Sequence, residues 1–232
     1  MRVRRGAPYL ALAVLLLAPV TAPAQNFGLG FNAEDNGKPI NIEAEQGIEW
    51  QQANRVYIAR GHAKATRGQA TVFADTLMAY YRPAAKEGDG KSTAPTGKNA
   101  PAKTGDAKAS DPVGGNSTEI YRLEAIGNVR IATETQTVYG DNAVYDVDKA
   151  LLVVTGKRLR LETPRDTVTA RDSLEWYDNK QLAVARGDAV AVREGKQLRG
   201  DVMTAEVTKG QNESSHISRI DTQGNVLVSS QD

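Results

Sequence analysis

The 232 residues contain no cysteine, so the chain can build no disulfide, no thiol nucleophile and no thiolate metal site. Histidine is nearly missing too: His62 and His216 are the whole supply, too few for a zinc site. Charge of neither sign dominates. There are 29 basic and 28 acidic residues, a net of +1, and such a balance does not attract nucleic acid as a whole. Aromatics make up only 6% of the chain. The leading apolar run, Tyr9 to Val20, is 12 residues long, short of the ~20 that a membrane-spanning helix needs.

What is present at the N-terminus reads as an export signal. Arg2, Arg4 and Arg5 precede that apolar run, and Ala22-Pro23-Ala24 supplies a small-x-small cleavage site, with cleavage expected after Ala24. The chain then divides into a signal peptide (1–24), a lead-in (25–37) and one repeat domain (38–230). Removing the signal leaves 208 residues (232 minus 24), with 26 basic (29 minus 3) and 28 acidic residues. An exported chain without disulfides must draw its stability from a sizeable core.

That core is announced by self-similarity. One half-unit is a glycine, a polar residue and a short strand-like run: Gly61-His62-Ala63, Gly127-Asn128-Val129, Gly156-Lys157-Arg158, Gly187-Asp188-Ala189 and Gly224-Asn225-Val226. The other is an acid opening a run, at Glu45, Asp75, Asp141, Asp172 and Asp201. Glycine to acid is 14, 14, 16 and 14 residues, and acid to glycine is 16, 15 and 15. Two intervals are longer. Asp75 to Gly127 spans 52, and Pro83–Thr118 accounts for the excess with four prolines, six glycines, five lysines and no aromatic. Such a composition buries too little surface to offset its ordering entropy, so a disordered insert is expected there. Asp201 to Gly224 spans 23, and a polar turn at Lys209–Ser215 fills the difference.

Within the units the period is two, as in Arg158-Leu159-Arg160-Leu161-Glu162, and strands of roughly 5–8 residues would give about 11 to 16 of them. The expected fold is all-β: an elongated antiparallel jelly-roll, or folded-over sheet, of about five two-strand repeats of ~30 residues. A strand with one apolar face must bury it. Candidates for the inner face are Ile42, Ile48, Trp50, Val56, Ile58, Phe73, Leu77, Leu123, Val129, Ile131, Tyr145, Leu159, Leu161, Trp176, Val190 and Val192. That face is read either as a packed core or as a slot for alkyl chains. The repeated acids are expected to cap local turns by accepting from backbone amides two residues on. No catalytic set, cofactor or metal site is expected.

The segments Pro39–Glu45, Tyr57–Ala63, Ala125–Ile131 and Tyr139–Tyr145 resemble the repeat units of the LptA/OstA family of periplasmic lipopolysaccharide-transport proteins. The best match is Gly127-Asn128-Val129 with Gly140-Asp141, and the likeness runs over about 38–230 outside the insert. It implies a β-taco in the periplasm of a Gram-negative cell, whose interior candidates hold the acyl chains of lipid A. It also implies end-to-end strand pairing with sister copies, head to tail, and with inner-membrane-anchored and outer-membrane transport proteins. The candidate edge residues for this are Ile40, Ile42, Ala44, Val226 and Val228. Two other readings stay open: the membrane-anchored neighbour of the same bridge with an uncleaved N-terminal helix, and a β-solenoid enzyme acting on polysaccharide through acids such as Asp141 and Asp172.

Overall fold

Strands with one greasy and one polar side must close their greasy sides against each other. A computed structural model describes residues 40–83, 118–209 and 215–230 of this chain. The export signal with its cleavage after Ala24, the lead-in, and residues 84–117 of the expected insert lie outside the described residues. The ends assigned to that insert do not: Pro83 and Thr118 are strand residues paired with each other.

Among the described residues, fourteen strands form one antiparallel sheet. They are β1 (Asn41–Glu43), β2 (Ile48–Gln51), β3 (Val56–Arg67), β4 (Ala70–Pro83) and β5 (Thr118–Ala132). Next come β6 (Thr137–Asp146), β7 (Leu151–Thr155), β8 (Leu159–Glu162), β9 (Asp166–Ala170) and β10 (Ser173–Tyr177). The last are β11 (Leu182–Arg193), β12 (Lys196–Lys209), β13 (Ser215–Gln223) and β14 (Leu227–Ser230). The pairing order explains the number. β1 and β2 both pair with β3, β7 and β8 both with β6, β9 and β10 both with β11, and β13 and β14 both with β12. Each of these couples is one crossing of the sheet, broken in the middle. The fourteen strands are therefore ten crossings, which are the five two-strand repeats.

All ten crossings change at the same line, a crease that divides the sheet. Half-sheet A holds β1, β8, β9, β14 and the crossing segments 63–67, 70–74, 129–132, 137–140, 189–193 and 196–200. Half-sheet B holds β2, β7, β10, β13 and the remaining segments. The ladders shift register at the crease, between Arg60 and Ala63, Phe73 and Thr76, Ile126 and Val129, and Arg186 and Ala189. Across this gap one strand of each pair carries one residue more than the other, two against one in three ladders and three against two between β4 and β5, which is a β-bulge and bends the strand.

The two repeated half-units meet here. Odd crossings bring the acid and even crossings bring the glycine dipeptide, so the two alternate along the crease. At Gly127 the backbone turns left-handed (φ +79°), and a side chain there would collide with the Asp75 carboxylate. Asn128 is also left-handed, a conformation that Asn, Asp and His tolerate best, and its side-chain amide donates to Asp75 at 2.9 Å. Asn225 donates to Asp201 at 3.0 Å, the Lys157 backbone N–H to Asp141 at 2.8 Å, and His62 lies 3.0 Å from Glu45. Where the dipeptide carries Asp188, which cannot donate, arginines serve instead: Arg171 donates to Asp172 and Arg199 to Asp188. Glu45, Asp75, Asp141 and Asp201 thus bind the next crossing, whereas Asp172 is held by Arg171 of its own crossing. The local turn caps expected two residues on are not what the acids make.

Half-sheets A and B fold toward each other about this crease. A single hydrophobic cluster joins Val72, Ile131, Val138 and Leu159 of A to Ala125, Tyr145, Leu152, Val154 and Trp176 of B. Ile131 is 1% exposed.

Candidate functional site

The sheet register defines which residues face inward. On half-sheet A one inner rung runs Ile42, Ala65, Val72, Ile131, Val138, Leu161, Val168, Ala191, Leu198 and Val228. On half-sheet B the facing rung runs Trp50, Tyr57, Ala79, Leu123, Tyr145, Leu152, Trp176, Ala183, Ala205 and Ile220. Ten crossings at ~4.8 Å per step make this an apolar trough about 43 Å long.

Ile42, Ile48, Trp50, Leu77, Leu123, Val129, Ile131, Tyr145, Leu159, Leu161 and Trp176 stand on the inner face, as the alternation predicts. Five candidates do not. Phe73 pairs with Lys64 and Arg130 on the outer face, with the Arg130 guanidinium 3.9 Å above its ring. The reason is the bulge. Asp75 stands alone opposite a dipeptide, so β4 swaps faces there, and Leu77 inside puts Phe73 outside. Val56 and Ile58 are buried, but on the face opposite Tyr57 and Ala59, beside Tyr80 and Met78. Val190 and Val192 face outward while Ala189 and Ala191 face in. From Ala189 to Val192 the interior takes the small residue of each alternating pair and the outer face takes the valine, while from Val56 to Ala59 the interior takes Tyr57 and Ala59 and leaves both aliphatics outside. A search for large apolar side chains selects the wrong face. It also misses Tyr57, Tyr81, Val138 and Val154, which alternation from a correctly placed neighbour would have recovered.

Two apolar cavities remain inside the trough, of about 60 Å³ and 100 Å³. The first lies between the early crossings, against Ile42, Leu77, Leu123 and Ile131; the second lies between the later ones, against Val138, Leu161, Leu174 and Met203. Leu152 borders both. Cavities of this size admit a few small groups, not a long chain. The trough is closed around its own side chains.

Few polar groups enter it. Burial pushes the Tyr145 phenol up to about 12, with Asp178 adding to the rise and Arg67 opposing it, and Arg67 of half-sheet A lines the same cavity as Tyr145 of half-sheet B. At the N-terminal mouth Trp50 donates its indole N–H to the Tyr81 hydroxyl at 2.7 Å and stacks on Tyr57 at 5.9 Å between centroids. Trp50 is nonetheless 56% exposed. At the other mouth Val226, Leu227 and Val228 are all exposed.

Of the expected edge residues, Ile42 lies on β1, whose only partner among the described residues is β3, and Val228 lies on β14, whose only partner among them is β12. Ile40, Ala44 and Val226 flank these strands without belonging to them. The longer free edge, β13, is one that composition did not single out. No group of three or more His, Asp and Glu side chains among the described residues is placed to hold a metal, and no described helix is long and apolar enough to cross a membrane.

The crystal structure of LptH from Pseudomonas aeruginosa, described as the LptA homologous periplasmic component of a lipopolysaccharide transport device, is similar to this chain at 12% identity. The match covers 85% of this chain and 99% of LptH with a TM-score of 0.35, a superposition too loose to carry an argument. No curated protein matches the sequence. The sequence profile of a transport family does match, over residues 41–172, which is more than half of the chain and takes in the crossings from β1 to β9. By that match the chain belongs to the LptA/LptD N-terminal domain family of lipopolysaccharide transport proteins.

Proposed function

We propose that this protein is a periplasmic bridge component that shields the acyl chains of lipopolysaccharide between its two half-sheets and passes them from one end to the other. The observation that carries this reading is the unbroken inner rung of apolar side chains with exposed apolar residues at both mouths. Moving a twelve-carbon chain into water costs roughly 10 kcal/mol at about 0.8 kcal/mol per methylene, so an acyl-bearing lipid needs cover at every step of an aqueous crossing. The export signal read from the first 24 residues supports a periplasmic location.

The closed trough requires that the half-sheets part before a chain enters. Their backbone connection is concentrated at the crease, whereas the opposite margins are strand ends and turns, so the margins separate while the crease bends. Alanine-rich inner rungs suit such a cycle, because small side chains leave the least apolar surface to wet while the trough is open. The free edges of β1, β2, β13 and β14 are the places where further copies and membrane-attached partners would add strands.

A photo-crosslinking amino acid at Leu77, Leu161 or Trp176 is expected to capture lipopolysaccharide in cells, and one at the outward-facing Val190 or Val192 is not. Equal capture from both faces would remove the trough from the proposal.

A further inference from the structure

A groove lies on the outer face of half-sheet A, next to the crease, with a volume of about 760 Å³. Its floor is a cross-strand rung that alternates aromatic and cation: Phe73 opposite Arg130, Arg130 opposite Tyr139, Tyr139 opposite Arg160. The Arg130 guanidinium lies 3.9 Å and that of Arg160 5.2 Å from the centroid of its ring. Lys157 and Arg158 stand at the crease end of the same groove.

The charges of this groove differ from those of the rest of the surface. Most of the described arginines, Arg186 and Arg199 among them, lie against a carboxylate. No described carboxylate pairs with the side chains of Arg130, Lys157 or Arg158. Arg160 is partly neutralised by Glu162 at 2.8 Å, and the one acid lining the groove, Asp141, accepts from the Lys157 backbone. Three uncompensated cations therefore surround one concavity. A guanidinium held over a ring has lost part of its rotamer freedom in advance, while its N–H groups can still donate in pairs. Paired donors of that kind match the oxygens of a phosphate, and a volume of several hundred Å³ exceeds what a bare phosphate fills.

We propose that this groove is a binding site for a phosphorylated saccharide, with the phosphate held by Arg130 and Arg158 and the sugar lying along the rung toward Tyr139. The concave floor favours a small ligand over a flat membrane surface. The cations of this site lie on the face of these strands opposite the trough, while the inward-facing Val129 and Leu159 also border the groove.

The test is calorimetric titration of the mature chain with glucosamine 6-phosphate, with glucosamine as the uncharged control and sedimentation with vesicles of equal parts phosphatidylcholine and phosphatidylglycerol alongside. Saturable binding that glucosamine does not show is expected. It should weaken by about tenfold or more in the R130Q/R158Q double variant, as loss of charge-assisted hydrogen bonds implies. Both residues are exposed, so the melting temperature of that variant should match the parent. Arg165→Gln, in the turn between β8 and β9 and outside the groove, should leave binding within about twofold, the size of a general charge effect. Binding that survives R130Q/R158Q, binding equally lost in R165Q, or retention on the vesicles alone overturns the proposal.

Discussion

The middle of the trough and its C-terminal mouth are built from the same kind of residue on the same rung, yet one is dry and the other wet. Ile131 is 1% exposed and Val228, further along that inner rung, is 72% exposed. Both are aliphatic, both sit in antiparallel ladders, and both point to the inner side of half-sheet A. The difference is the facing layer. Ile131 packs in the same cluster as the half-sheet B residues Ala125, Tyr145 and Leu152, whereas Val228 has no place in that cluster. Strand pairing alone thus satisfies the backbone but does not bury the side chain; a second layer does that.

This contrast can be broken most directly by truncation at the two places. Ile131→Ala is expected to cost about 2–5 kcal/mol in urea denaturation, the range for deleting a well-packed aliphatic. Val228→Ala should cost less than about 0.5 kcal/mol. Similar losses at both sites would mean that the mouth is covered in solution.

A middle-sized effect is expected at the crease, which holds the two layers at their angle. Gly127→Ala places a methyl group against the Asp75 carboxylate at a left-handed backbone position, and the loss should be about 1–3 kcal/mol. Val129→Ala beside it should reduce stability without altering the crease. Changed accessibility of the rim turns to proteolysis in the glycine variant alone would sharpen the assignment of the crease as hinge.

An effect smaller than that at the crease is expected on the outer face of half-sheet B, where ion pairs rather than packing dominate. Burial raises the Glu175 carboxyl, but hydrogen bonds from Arg186 at 2.8 Å, Ser173 and Tyr177 outweigh it and hold the group below the usual carboxylate range. A carboxyl depressed on folding stabilises the protein above its unfolded pKa, and that contribution is lost as pH falls through the folded value. Glu175→Gln should therefore be less stable than the parent near neutral pH by less than about 1 kcal/mol, since water screens the pair. The gap should close in acid. A gap that widens in acid would reverse the sign assigned to this group.

Much of this architecture is legible in the sequence because the repeat marks one physical line. Each acid and each glycine dipeptide recurs at the spacing of one crossing, so the number of units, the all-β class and the elongated sheet follow from counting. The inner face is legible only where alternation is read within one half-sheet. Arg158 to Glu162 lies wholly in half-sheet A, and its Leu159 and Leu161 are placed correctly. Phe73 and Leu77 straddle Asp75, and a period of two carried across that residue puts both on one face, whereas the bulge leaves Phe73 outside. For Val190 and Val192 the error has another source: a narrow interior takes alanine, and hydrophobicity ranks valine above it. The pairing of acid to glycine across neighbouring crossings is a contact between repeats, which no local turn rule contains.

The single residue that opposes each dipeptide also makes the chain intolerant of small length changes in one place and indifferent to large ones in another. Adding or removing one residue at Asp75, Asp141 or Asp201 would turn half a strand inside out, exchanging its valines and alanines for arginines and threonines. The rims carry no such parity. Both departures from the regular spacing, after Pro83 and after Lys209, fall where strands of half-sheet B end, on the margin away from the crease. New sequence can accumulate along that margin without disturbing the greasy interior, so any family member that gains a specialised segment is expected to gain it there.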